Sequence, residues 1–122
     1  MAKRILVIDD SPTIRKQLKT ILEMHGYEVA EAVDGLDALS LVKKDARIGL
    51  ILCDINMPRL SGMQFLEAIY PIERLRSIPV VMVTTESNPT FIQEAKKLGV
   101  RGWLLKPVKA EALLAVATKL AK

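Results

Sequence analysis

The feature that most constrains this chain is an alternation of short strand-like runs with segments whose apolar residues recur at helical spacing. Ile5-Leu6-Val7-Ile8, Ile48 to Cys53, Pro79 to Val83 and Val100 to Leu105 are near-continuous apolar runs, the pattern of strands covered on both faces. Tyr27 to Ala32 reads as a second strand in chain order. Four helices lie between them and a fifth follows the last, with local start and stop signals at most of these joints. Ser11-Pro12 supplies an N-cap and a proline at the first helical position, Ile14, Leu18, Ile21 and Leu22 form one face, and Gly26 stops the helix. Asp34 can cap a second helix with Leu36, Leu39 and Val42. Ser61 with Gln64 forms a capping box for a third, which Pro71 ends. Asn88-Pro89 opens a fourth, carrying Phe91, Ile92, Ala95 and Leu98 before Gly99, and the last runs from about Ala110 to the chain end. The reading is (βα)5, an α/β fold whose parallel sheet has helices on both faces.

At 122 residues, with no repeat, linker or low-complexity stretch, residues 1–122 are expected to form a single domain large enough for one core. Half the residues are hydrophobic and 26% are charged, a globular composition. The net charge is +4. The basic residues (Lys3, Arg4, Arg15, Lys16, Lys19, Lys43, Lys44, Lys96, Lys97 and Arg101) are scattered rather than gathered in one run. They read as a solvated surface and not as a nucleic-acid interface. Cys53 is the only cysteine, so no internal disulfide can form, which fits a reducing compartment. The apolar run near the amino terminus is too short for a signal peptide or a membrane span. A cytoplasmic protein with no membrane insertion is expected.

Position, more than composition, points to function. Four of the five strands end in polar or charged residues: Asp9 and Asp10 after the first, Asp54 after the third, Thr84 and Thr85 at the fourth, Lys106 at the fifth. Open parallel sheets bind ligands at the carboxyl ends of strands, where the strand order reverses. If that reversal lies between the first and third strands, Asp9 and Asp10 lie beside Asp54. Three carboxylates meeting one lysine carry a net charge near −2, and a divalent cation is the natural complement. With oxygen ligands and no neighbouring His or Cys pair, Mg²⁺ suits the donor count better than Ca²⁺. A metal-bound carboxylate flanked by a lysine and a hydroxyl can attack phosphorus and hold the developing charge. Any one of these acids alone reads as a helix cap or a loop anchor. Their joint placement at strand ends is not explained that way.

Taken together, Ile8-Asp9-Asp10-Ser11, Cys53-Asp54-Ile55-Asn56-Met57-Pro58, Val83-Thr84-Thr85-Glu86 and Lys106-Pro107 resemble the signature of two-component response-regulator receiver domains, in order and at the right spacing. The nearest likeness is to CheY-like single-domain chemotaxis regulators. The resemblance implies a flavodoxin-like doubly wound sheet in the order 2-1-3-4-5. It implies Asp54 as phosphoacceptor, with phosphate delivered by a histidine kinase. Asp10, Asp54 and the Asn56 carbonyl would ligate Mg²⁺, with Asp9 acting through water. Lys106 and the Thr84 hydroxyl would meet the phosphoryl oxygens, Asn56 and Glu86 would tune hydrolytic water, and Lys106–Pro107 would be cis. On this likeness the protein is no enzyme but a monomeric switch that assists its own phosphorylation and dephosphorylation. Its output would be protein binding through the fourth helix, fifth strand and fifth helix, including Lys96, Lys97, Arg101 and Trp103, to a target such as a motor switch or regulatory domain. A phosphorelay intermediate, or a receiver cut from a longer kinase or transcription factor, stays open.

Three positions depart from the family pattern. Trp103 stands where Tyr or Phe is usual at the switch, Val108 stands for Phe, and Lys109 stands where a capping side chain often opens the last helix. Two rivals fit poorly. A haloacid-dehalogenase-type phosphohydrolase needs Asp-x-Asp after the first strand, whereas Asp9 and Asp10 are adjacent. A flavodoxin-like cofactor binder needs a Ser/Thr/Gly-rich phosphate loop there. Elsewhere the expectations are plain: His25 sits at a helix end without a partner, Cys53 is a small core residue, and Met24, Met57, Met63 and Met82 pack.

Overall fold

A computed structural model describes residues 4–121; Lys3 and Lys122 lie outside the described residues. Five parallel strands form one sheet in the order β2-β1-β3-β4-β5. They are β1 (Arg4–Ile8), β2 (Glu28–Ala32), β3 (Ile48–Cys53), β4 (Val80–Thr84) and β5 (Gly102–Leu105). The helices are α1 (Pro12–Met24), α2 (Gly35–Lys44), α3 (Gly62–Ile69), α4 (Glu73–Arg76), α5 (Pro89–Lys97) and α6 (Ala110–Leu120). The expected fourth and fifth helices are thus α5 and α6.

Because side chains alternate across a strand, the sheet builds two cores. Leu6, Ile8, Ile51, Cys53, Val80 and Met82 pack under α2, α3, α4 and α5 with Val42, Phe65, Leu66, Leu75 and Ala95. Ile5, Val7, Leu50, Leu52, Val81 and Val83 pack under α1 and α6 with Leu18, Leu22, Leu113 and Ala117. Burying both faces explains why the strands read as unbroken apolar runs, each large side chain contributing about 1.5–3 kcal/mol of transfer free energy. Cys53 takes its expected place in the first core, with burial pushing its thiol pKa far up. Met82 is fully buried, and Met57 and Met63 pack against that core. Met24 does not pack; it is 77% exposed at the end of α1. Leu36 likewise faces outward, and Ala38 and Val42 carry the inner face of α2.

The local start signals form as the residues dictate. Ser11 accepts from the Ile14 amide and Asp34 from Asp37, Ser61 and Gln64 complete both arms of their capping box, and Asn88 accepts from Thr90. Lys109 gives α6 no side-chain cap. Gly26 and Gly99 take φ of 88° and 91° after α1 and α5, and His25 closes α1 with Nδ1 3.0 Å from the Ile21 carbonyl. The fifth strand starts later than its apolar run: the Val100 amide still closes the end of α5 on the Ala95 carbonyl, and pairing with β4 begins only with the Arg101 amide on the Val80 carbonyl. The turn α4 is absent from the sequence reading. It is too short to show a period, and it is held by buried Leu75 and by Arg74, whose guanidinium donates to the carbonyls of Val42 and Lys43.

Candidate functional site

Helix α1 leaves β1 toward one face of the sheet and α3 leaves β3 toward the other, so a crevice opens between the carboxyl ends of these adjacent strands. Asp9, Asp10 and Asp54 line it, and one carboxylate oxygen from each lies within 4.8 Å of the others. Asp9 and Asp54 are buried and Asp10 is exposed. Lys106 reaches in from the end of β5, its Nζ 2.7 Å from Asp9 Oδ2 and 3.0 Å from Asp54 Oδ2. Its own amide donates to the Thr84 carbonyl, and its peptide bond to Pro107 is cis.

Each buried acid is held by a neighbouring amide: Ser11 donates to Asp9 Oδ1 at 2.9 Å and Ile55 donates to Asp54 Oδ1 at 2.7 Å. Burial pushes the Asp9 carboxyl up from its ordinary range, against the pull of the Lys106 ammonium. Burial works to lower the Lys106 pKa, but its hydrogen bonds to Asp9 and Asp54 outweigh this and raise it, so the lysine stays charged. Three carboxyl groups thus stand against a single ammonium. Clustered, charge-deficient and all oxygen, the donor set fits a hard divalent cation. Asn56 lies on the exposed loop two residues beyond Asp54.

Thr84 is wholly buried, and its hydroxyl accepts from the Glu86 amide at 3.2 Å rather than touching Asp54. The Glu86 carbonyl in turn accepts from the Trp103 indole at 2.8 Å. Thr84, Glu86 and Trp103 are therefore joined through one peptide segment. Trp103 is half-buried, docked by its N–H, a donor that Phe lacks. The Glu86 carboxylate faces α5, where it accepts from the Asn88 amide.

Two supporting residues escaped the sequence reading. Arg15 donates to the Asp9 carbonyl at 2.6 Å and pairs with Glu31, tying α1 to the end of β1. Gly62 packs its bare Cα against the Asp54 carbonyl. No local pattern marks either one, since both act through tertiary contact.

The profile of the response regulator receiver domain matches residues 5–118. The chain belongs to the response-regulator receiver family. Receivers of two-component systems take phosphate from histidine kinases and act on downstream targets. This receiver is 39% identical over 111 residues to protein PilH of Pseudomonas aeruginosa, covering 91% of each chain. It is 38% identical to the chemotaxis protein CheY of the same organism, covering 90% of this chain and 89% of that one. In three dimensions it is similar to chemotaxis protein CheY4 of Vibrio cholerae, with a TM-score of 0.91 and 37% identity over 98% of this chain and 99% of that one. The doubly wound order 2-1-3-4-5 is as the resemblance implied. Among the described residues no helix is long and apolar enough to cross a membrane.

Proposed function

We propose that this receiver is a cytoplasmic, monomeric regulator of chemotaxis type, phosphorylated on Asp54 by a histidine kinase in the presence of Mg²⁺. The observation that supports this most is the setting of Asp54, buried at the end of β3 with one oxygen on an amide and the other on Lys106. A carboxylate oxygen so placed forms the new bond to phosphorus as the bond to the donor histidine breaks. The Lys106 ammonium stays with the oxygens that gain charge. Asp10, Asp54 and the Asn56 carbonyl would hold Mg²⁺, with Asp9 behind them, and the ion would neutralise phosphoryl oxygens when bound. The Thr84 hydroxyl turns from Glu86 to the phosphoryl group. Asn56 and Glu86 flank the path of hydrolytic water, so the chain assists its own dephosphorylation without turning over an external substrate.

The test is direct. Acetyl phosphate with Mg²⁺ adds one phosphoryl group per chain by intact mass, and EDTA prevents it. No gain in mass with Mg²⁺ present overturns the reading.

Output is protein binding through α5, β5 and α6, to a motor switch or a regulatory domain. Lys96, Lys97, Arg101 and Leu105 are exposed on or next to these elements, and Trp103 on β5 is half-buried. If Thr84 leaves Glu86 for the phosphoryl group, the peptide held by Trp103 loses its other anchor. Trp103 emission therefore changes when beryllium fluoride and Mg²⁺ bind wild-type protein, and changes less in Thr84→Ala. Equal changes in the two proteins sink the coupling, though not the site.

A further inference from the structure

We propose that Arg59 and Asp34 form a latch that positions the loop between β3 and α3 for the cation, making Arg59 a positioning residue. This rests on the reading of the acidic crevice as a Mg²⁺ site. Arg59 has φ of 66°, the left-handed region that favours glycine, yet it carries a long side chain. That side chain is spent: Nε donates to Asp34 Oδ2 at 2.5 Å. Asp34 is 3% exposed, and its other oxygen caps α2 by accepting from Asp37. Arg59 is the largest influence holding the Asp34 carboxyl below its usual range.

Beside the pair, the Gly35 amide donates to the Leu60 carbonyl at 3.0 Å, and a Cβ on Gly35 would come within 2.4 Å of that oxygen. The two loops thus meet with no slack. At its root the same loop is closed by the Gly62 amide on the Ile55 carbonyl at 2.8 Å. Root and tip are both pinned, and Asn56 lies on the span between them. A loop that supplies a backbone ligand has no side-chain freedom with which to correct its aim, so pinning its path sets the ligand. Asp34 is 25 residues from Arg59 in the chain, and neither motif predicts the other.

The test uses Asp34→Asn, which keeps a capping acceptor and leaves the loop sequence unchanged, and Arg59→Gly, which removes the guanidinium and relieves the backbone. By calorimetric titration with Mg²⁺ alone, both variants bind about tenfold more weakly, the low end for loss of an outer partner. Arg59→Gly melts above Arg59→Ala, which loses the same guanidinium but keeps the left-handed backbone, while the two bind Mg²⁺ equally weakly, a split between affinity and stability that a purely structural role would not produce. The double variant falls no further. In metal-free protein, amide exchange over residues 55–61 is faster in Asp34→Asn. Wild-type Mg²⁺ affinity in both single variants, or unchanged loop exchange in Asp34→Asn, overturns the latch. If wild type itself binds no Mg²⁺, the metal reading fails, and loop exchange decides the latch alone.

Discussion

Asp54→Asn takes up no phosphoryl group from acetyl phosphate and Mg²⁺ under conditions that fully label the wild type. Asn retains an oxygen for the Ile55 amide and stays near Lys106, so the site keeps its shape. What is lost is the anionic oxygen that would form the bond to phosphorus, and an amide is too poor a nucleophile to replace it. The variant also removes one of three crowded carboxylates, so loss of labelling cannot be laid to unfolding; circular dichroism and thermal melting confirm this alongside intact mass. Lys106→Ala fails in a different way. It retains some labelling, because the nucleophile is intact, but the Trp103 emission change is lost with the ammonium that links β5 to Asp54. Labelling of Asp54→Asn at the wild-type rate would show that the phosphoacceptor is elsewhere.

Gly62→Ala sets two physical effects against each other. Gly62 is the first residue of α3, and in a helix alanine is favoured over glycine by about 1 kcal/mol. Propensity alone therefore predicts a small stabilisation. The structure predicts the opposite. A Cβ at position 62 would lie 2.2 Å from the Asp54 carbonyl oxygen and 2.9 Å from the Ile55 Cα. Both neighbours are backbone, and neither can swing aside as the tip of a side chain could. The strand end or the helix must move, at a cost of about 3 kcal/mol, which outweighs the gain in propensity. The carbonyl in question belongs to Asp54, the proposed phosphoacceptor, so labelling slows as stability drops. Urea unfolding and acetyl phosphate labelling measure the two losses. A midpoint at or above that of wild type would show that the close approach has no energetic weight.

Much of this protein is determined by local sequence. Strands covered on both faces need continuous apolar runs, so β1, β3 and β4 are legible without any contact being known. Helices must satisfy their first amides, so Ser11, Asp34, Ser61 and Asn88 mark where four of them begin. The residues that close the strands are readable too, because parallel strands with short joints deliver their ends to one edge of the sheet. Asp9, Asp10, Asp54, Thr84 and Lys106 were therefore identifiable as one group. Only the tertiary structure decided how these groups engage. Lys106 lies 97 residues from Asp9 and 52 from Asp54, and no periodicity encodes which carboxylate oxygens it meets. The same holds for Trp103 on the Glu86 carbonyl, Arg74 on the last turn of α2, and Arg59 on Asp34. Hydrogen bonding along the chain and apolar patterning act over a few residues and leave a readable trace. A single long-range contact depends on where whole elements come to rest, and that is set by the packing of both cores at once.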